Sequence, residues 1–452
     1  MKLVKKYPLL NLFILGLLLR FSLLFLDYGW DIHNHIVWAK DLWQRGFAGF
    51  YEKQSSEVYA TLSPNYPPLS LLLFYLSYPL QAFIYKIAWW LNLAFPLFPS
   101  NLIFFINERA FLAAMMKLPA VFADLGVAWF CYLIAKKILP KNKKLHLFIP
   151  SFILFNPAFF YNSALWGQID VIPIFFVLFS FYLLLFSKRY LLSGLIFTLA
   201  LLVKPTAFVY LALYIIFFIN KYSLINFLKT FLIANFIFLI SFFPYLKNLN
   251  NLLLPYSIYS EKILAAQSLP YVTNGAFNFW VLITGFAGIK DTAPFLFGIS
   301  YGLWGYFITG SFIIFVLVKF FRHSGKRVER ARPESNNDSG VPFDFAQGPQ
   351  NDIFLAFFLI ALVSFLFLTK MHERYSILPL PFLLLVGLKN QKLFKWFVIL
   401  SLISFLNLYH SWPVPKLGFI TEIIFLPITS YVLTLVNIIL FLQSLFKFKW
   451  RN

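Results

Sequence analysis

The sequence is short of charge, short of acid and nearly without cysteine. Only 12% of its 452 residues are charged, about half of what a soluble domain carries, while 60% are hydrophobic and 21% aromatic. Water could not hold such a chain as a globule. The single cysteine, Cys131, lies inside an apolar run, which excludes a disulfide framework and a thiolate metal centre. Internal repeats are also missing, which speaks against a transporter built from inverted repeats. Acids number 17 against 38 Lys and Arg, a formal charge of +21. That excess could suggest nucleic acid, but its distribution points to membrane topology.

What the sequence has in quantity is apolar runs. A helix needs about 20 mostly apolar residues to cross a bilayer, and the runs at 7–26, 148–161, 169–186, 295–318, 353–368 and 423–442 approach or meet that length. The pattern predicts one all-α, polytopic membrane domain over 1–452 with about twelve crossings. They fall at 8–26, 111–135, 147–162, 170–187, 190–203, 205–220, 228–245, 295–318, 353–369, 375–388, 394–411 and 422–443. Basic clusters recur between them, at Lys136 to Lys144, Lys188 and Arg189, Lys221, Lys319 to Arg332, Lys389 to Lys395 and Lys447 to Arg451. The positive-inside rule assigns these clusters and both termini to the cytoplasm of a cell-membrane protein. The first run follows Lys2, Lys5 and Lys6 but lacks a small-residue cleavage site, so it reads as a retained helix.

Parity then leaves 27–108 as one large external loop. Its Pro-broken apolar stretches at 69–80 and 87–98, flanked by Trp89 and Trp90, suit helices lying at the interface, and a re-entrant pair would give the same parity. The polar, aperiodic stretch 324–352 reads as a disordered cytoplasmic insertion. Acidic residues were not used to build this layout, yet Asp27, Asp31, Asp41, Glu52, Glu57, Glu108, Asp170, Glu261, Asp291, Glu373 and Glu422 all fall on the outer face. Carboxylate chemistry therefore belongs outside.

Three external clusters carry that chemistry. Asp31, just beyond the first helix, is the candidate general base, able to take the proton from an acceptor hydroxyl. His33 and His35 stand two apart, a metal-like spacing, but no third ligand lies at a recognisable distance in the sequence. Asp170 follows Trp166 and Gln168 in NSALWGQID; it is either a helix N-terminal dipole partner or part of a sugar clasp that combines stacking with paired hydroxyl bonds. The turn TKMHERYS confines Lys370, His372, Glu373 and Arg374 to the membrane edge, where four ionisable groups are costly unless used. Arg374 suits a phosphate bidentately, Lys370 or His372 can add charge, and Lys204 before Pro205 can supplement them. Asp124 and Lys117, inside a helix, read as structurally paired charges.

These elements, in this order, resemble the GT-C superfamily of polytopic glycosyltransferases, nearest to bacterial and archaeal relatives of the GPI mannosyltransferases and to the dolichyl-phosphate-glucose glucosyltransferases. The likeness rests on Asp31, Trp38 and Tyr66-Pro67-Pro68-Leu69, on Lys117 to Leu125, on Trp166 to Asp170 and on His372 to Arg374, over about residues 20–390. The resemblance implies that Asp31 is the catalytic base and that His372 and Arg374 lie by the donor phosphate. It departs from the protein O-mannosyltransferases, which carry an adjacent Asp-Glu pair where Ile32 follows Asp31, and from oligosaccharyltransferases, whose acidic metal motifs are missing. The expectation is an inverting mannosyl- or glucosyltransferase without metal or cofactor. It would move a hexose from a polyprenyl-phosphate donor to a lipid-linked or glycan acceptor outside the cytoplasm. Donor phosphate would meet Arg374, His372, Lys370 and Lys204; sugar or acceptor would meet Asp170, Gln168, Trp166, His33 and Glu373. The alternative is a lipid-linked sugar flippase, whose mark would be charges midway through several helices.

Overall fold

The computed structural model describes residues 7–26, 28–59, 63–248, 251–266, 269–331 and 350–446. Its helices are α1 (Pro8–Leu24), α2 (Trp30–Arg45), α3 (Pro68–Ser77), α4 (Leu80–Ala94), α5 (Ser100–Asn107), α6 (Arg109–Ile138), α7 (Val171–Phe186), α8 (Tyr190–Val203), α9 (Leu211–Tyr222), α10 (Leu224–Phe242), α11 (Tyr301–Ala331), α12 (Gln350–Phe367), α13 (Leu380–Gly387), α14 (Gln391–Ser411) and α15 (Pro427–Phe446), with short helical turns between them. The only sheet among the described residues is a parallel pair, β1 (Thr273–Asn274) with β2 (Met371–His372). Seven helical stretches are long and apolar enough to cross a membrane, and four shorter apolar helices accompany them. The chain is thus a helical membrane protein, with seven full-length candidate spans and four shorter apolar helices among the described residues beside the twelve crossings expected.

The departures from that layout have local causes. The expected crossing at 147–162 is broken into Ser151–Leu154, Pro157–Phe160 and the π-helical Tyr161–Trp166, because Pro150 and Pro157 remove ladder donors. The run at 375–388 becomes a 3₁₀ turn, Glu373–Ile377, and the 8-residue α13 after Pro379, wholly buried. The run at 295–318 starts as helix only at Tyr301, since Phe297 and Gly298 adopt positive φ, and it continues to Ala331. The stretch expected to be disordered, 324–352, is therefore helical at both margins, and 332–349 lie outside the described residues.

Together α3 and α4 make a 27-residue stretch that could span, where interfacial helices were expected. The returning α5 has 8 residues, roughly 12 Å of rise, too little to cross back. Gln81 Nε2 donates to the carbonyls of Ile106 and Glu108 at 2.8 and 2.9 Å, so the excursion leaves and returns at one end of the bundle. From that end α6 runs 30 residues, about 45 Å, and carries Lys136 and Lys137 to the far end.

Buried charge is tied off within the bundle. Asp124 pairs with Arg20 Nε at 2.7 Å and accepts from Ser163, not from Lys117, and Arg20 also donates to the carbonyls of Gly16 and Leu154. Lys117 Nζ instead donates to the carbonyls of Leu24, Ala164 and Leu165 at 2.8–3.1 Å, closing the end of α1 and the π-helical turn together.

Candidate active site

At the end where α2 begins, three distant segments are drawn together by close backbone approach. Gly29 N donates to Trp166 O at 3.1 Å, and a Cβ at Gly29 would collide with the Trp166 indole. Gly167, at φ +88°, ends the π-helical turn in a left-handed conformation, and a Cβ there would run into Ile32. These two glycines dock the first turn of α2 on the 166–170 loop, and Gln168 Nε2 then reaches Asp31 Oδ2 at 2.6 Å. Lys204 is extended because Pro205 follows it. The resulting break between α8 and the next helix lets its ammonium reach Asp170 Oδ1 at 2.6 Å. The third segment is clamped by β1–β2 pairing, by Lys370 N donating to Val272 O and by Asn407, which bonds both Gly275 and Phe277.

Arg374 is the hub. Its guanidinium stands 3.2 Å from Glu373, 3.5 Å from Asp170 and 3.8 Å from Asp31, and rests over the Tyr375 ring. None of these contacts is tight, and Arg374 Nε, Asp170 Oδ2 and Gln168 Oε1 are buried without a hydrogen-bond partner among the described residues. Three carboxylates face two cations, Arg374 and Lys204. Burial works to raise the Asp31 carboxyl, but Arg374 and the Gln168 bond outweigh it and hold the group at about 2. Burial also pushes His372 below the usual imidazole range, helped by Arg374, so it is neutral near pH 7. Glu373 stays below the usual carboxylate range despite burial, through His372 and Arg374.

A cavity of about 590 Å³ opens onto this cluster. Of the residues singled out in the sequence, Asp31, Trp166, His372 and Arg374 line it. Asp170, Gln168, Lys204 and Glu373 lie behind them, buried, and Lys204 is paired with Asp170 rather than lining the cavity. Lys370, at φ +60°, faces a second cavity and pairs with Asp291 at 3.2 Å. His33 points away to Glu57 O and Arg109. Among the described residues no group of three His, Cys, Asp or Glu side chains is placed to hold a metal ion.

The sequence reading gave His35 no role beyond its spacing from His33 and did not single out Trp412. His35 is fully buried, one helical turn from Asp31, stacked on Phe74 at 4.0 Å; neither ring nitrogen has a partner among the described residues, and burial drops it to about 3. The i, i+4 spacing from Asp31 was the available signal. Trp412 stacks on Trp166 at 5.7 Å with the rings 12° apart, making a paired indole wall; nothing in the sequence joins two residues so far apart.

The second cavity, about 520 Å³, runs between α9, α11 and α12 and is lined mainly by apolar side chains such as Phe208, Ile313, Ile360 and Leu378. It shares one partition with the first: Lys370, Met371 and Tyr375 face the apolar side, His372 and Arg374 the polar side. Compared with known proteins, the chain matches no family model and no curated protein.

Proposed function

We propose that the chain is an inverting hexosyltransferase that uses a polyprenyl-phosphate sugar, working at the outer edge of the cell membrane with its termini in the cytoplasm. The observation that carries this reading is the shared partition. A polar cavity holding Asp31 and an apolar groove among membrane-length helices meet along residues 370–375. A ligand that is half sugar and half hydrocarbon has its junction there, and the junction is a phosphate. Arg374 and His372 meet it from the cavity and Lys370 from the groove, while the isoprenoid chain lies along α11 and α12.

The reaction follows from the groups present. The acceptor hydroxyl oxygen bonds to the anomeric carbon, the bond from that carbon to the phosphate oxygen breaks, and the hydroxyl proton goes to Asp31. The departing polyprenyl phosphate keeps the electron pair and is steadied by Arg374 and Lys370. One base and one displacement invert the anomeric centre, since among the described residues no second carboxylate lines the cavity as a nucleophile. A carboxylate held at about 2 is ionised but weakly basic. Donor phosphate drawing on Arg374 loosens that hold and strengthens the base in the loaded site.

Purified protein in lipid, incubated with polyprenyl-phosphate mannose, glucose and galactose in turn, tests the reading. Free polyprenyl phosphate is expected from at least one. Movement of intact donor across the bilayer with no release from any would put the flippase in its place.

A further inference from the structure

One wall of the polar cavity carries none of the groups assigned to the donor phosphate or the base. Trp30, Asn34 and Trp38 are spaced four apart on α2, so they share a helix face, and all three line the cavity. The stripe rises roughly 12 Å along the axis, from Trp30 at the mouth, 79% exposed, to Trp38 at the floor, 1% exposed. Beside Trp30 stands Tyr59, ring centroids 6.0 Å apart. That tyrosine is stiffened from behind: His33 stacks on it at 4.3 Å, and Asn34 exchanges bonds with its backbone at 2.8 and 3.0 Å. The Tyr59 face is therefore pre-set, and the Trp30 ring stands beside it, tilted by 57° and free of the core.

Deeper in the same cavity, Trp38 Nε1 and Asn65 Oδ1 have no hydrogen-bond partner among the described residues. One can only donate and the other only accept. Aromatic faces seek a flat, carbon-bound surface, and an unpaired donor and acceptor seek a group that does both, as a hydroxyl does. A hydrocarbon chain offers no hydroxyl. A phosphate headgroup brings charge, and no cation lies on this stripe.

We propose that this wall is a subsite for a neutral saccharide, so that the acceptor is a glycan end whose ring stacks on Trp30 and Tyr59 with a hydroxyl toward Asp31. Its role as acceptor rests on the hexosyltransferase reading; the binding itself does not. Trp30 is exposed, so replacing it removes no core contact.

The test is saturation-transfer NMR on the full chain in lipid nanodiscs, without donor, against α- and β-linked gluco- and manno-oligosaccharides. At least one should receive saturation on its ring protons. Trp30→Ala should weaken that binding roughly five- to tenfold, whereas Trp30→Phe should largely keep it. No saturation of any oligosaccharide, or binding indifferent to Trp30→Ala, overturns the subsite. The two readings separate cleanly. Release of polyprenyl phosphate by a protein that binds no saccharide keeps the transferase and removes the subsite. Trp30-dependent binding without release from any donor does the reverse.

Discussion

Two buried clusters of charge stand out among the described residues, and they are built differently. Around Asp124 the contacts are short: Arg20 Nε at 2.7 Å and Ser163 both donate to Asp124 Oδ2, and Arg20 Nη1 donates to two carbonyls at 2.8 and 3.0 Å, although Arg20 Nη2 and Asp124 Oδ1 have no hydrogen-bond partner among the described residues. Around Arg374 a single guanidinium is shared among three carboxylates at 3.2–3.8 Å, beside an open cavity. The first arrangement locks three segments of chain and leaves no room for a ligand. The second holds its cation loosely enough to trade a carboxylate for an incoming anion. Burial of charge is common to both, so burial alone does not mark a site. What marks it is the slack in the contacts and the space next to them.

That contrast can be broken by substitution. Asp124→Ala strands the Arg20 charge in the bundle and should cost about 3–5 kcal/mol of stability, read as a large fall in thermal midpoint in detergent, with a Arg20→Met/Asp124→Leu pair recovering much of it. A loss from Asp124→Ala no larger than that of a surface change would undo the structural assignment. Arg374→Ala should leave the fold standing and weaken donor binding by about 2–3 kcal/mol, with lysine only a partial rescue because it lacks the planar fork. Equal losses of stability at both arginines would erase the distinction.

The smallest effect concerns acid. His35 is held neutral at about 3, well below its unfolded value of 6.5. As pH falls through 6.5 the unfolded chain takes up a proton that the folded chain refuses, and stability declines until about pH 3. Between pH 6.5 and 5 this amounts to about 2 kcal/mol. His35→Phe, which can keep the stacking on Phe74, should flatten that part of the stability profile. An unchanged acid slope would mean that other groups set it.

How much of this was legible in the sequence depends on distance along the chain. The helical bundle followed from apolar runs, and the meeting of Asp31, the 166–170 loop and the 370–375 turn at one end of the bundle agrees with the alternation of basic clusters. Helix continuity was not legible where proline sits inside an apolar run, at Pro150, Pro157 and Pro379, since composition shows the run but not the break. Partners also escaped. Lys204 looked available for phosphate because Asp170 lies 34 residues away, and Lys117 looked like the partner of Asp124 because Arg20 lies 104 residues away. Helical spacing places His35, rather than His33, one turn from Asp31.

The central claim is that Asp31 takes the acceptor's proton in a site that binds donor through other groups. The most direct measurement is the donor affinity and single-turnover rate of Asp31→Asn, a change that keeps shape and hydrogen bonding but removes the proton acceptor. Donor binding should survive, no weaker than before because Arg374 is released from one carboxylate, and the rate should fall by about two to four orders of magnitude. Near-normal single turnover in Asp31→Asn would contradict the account.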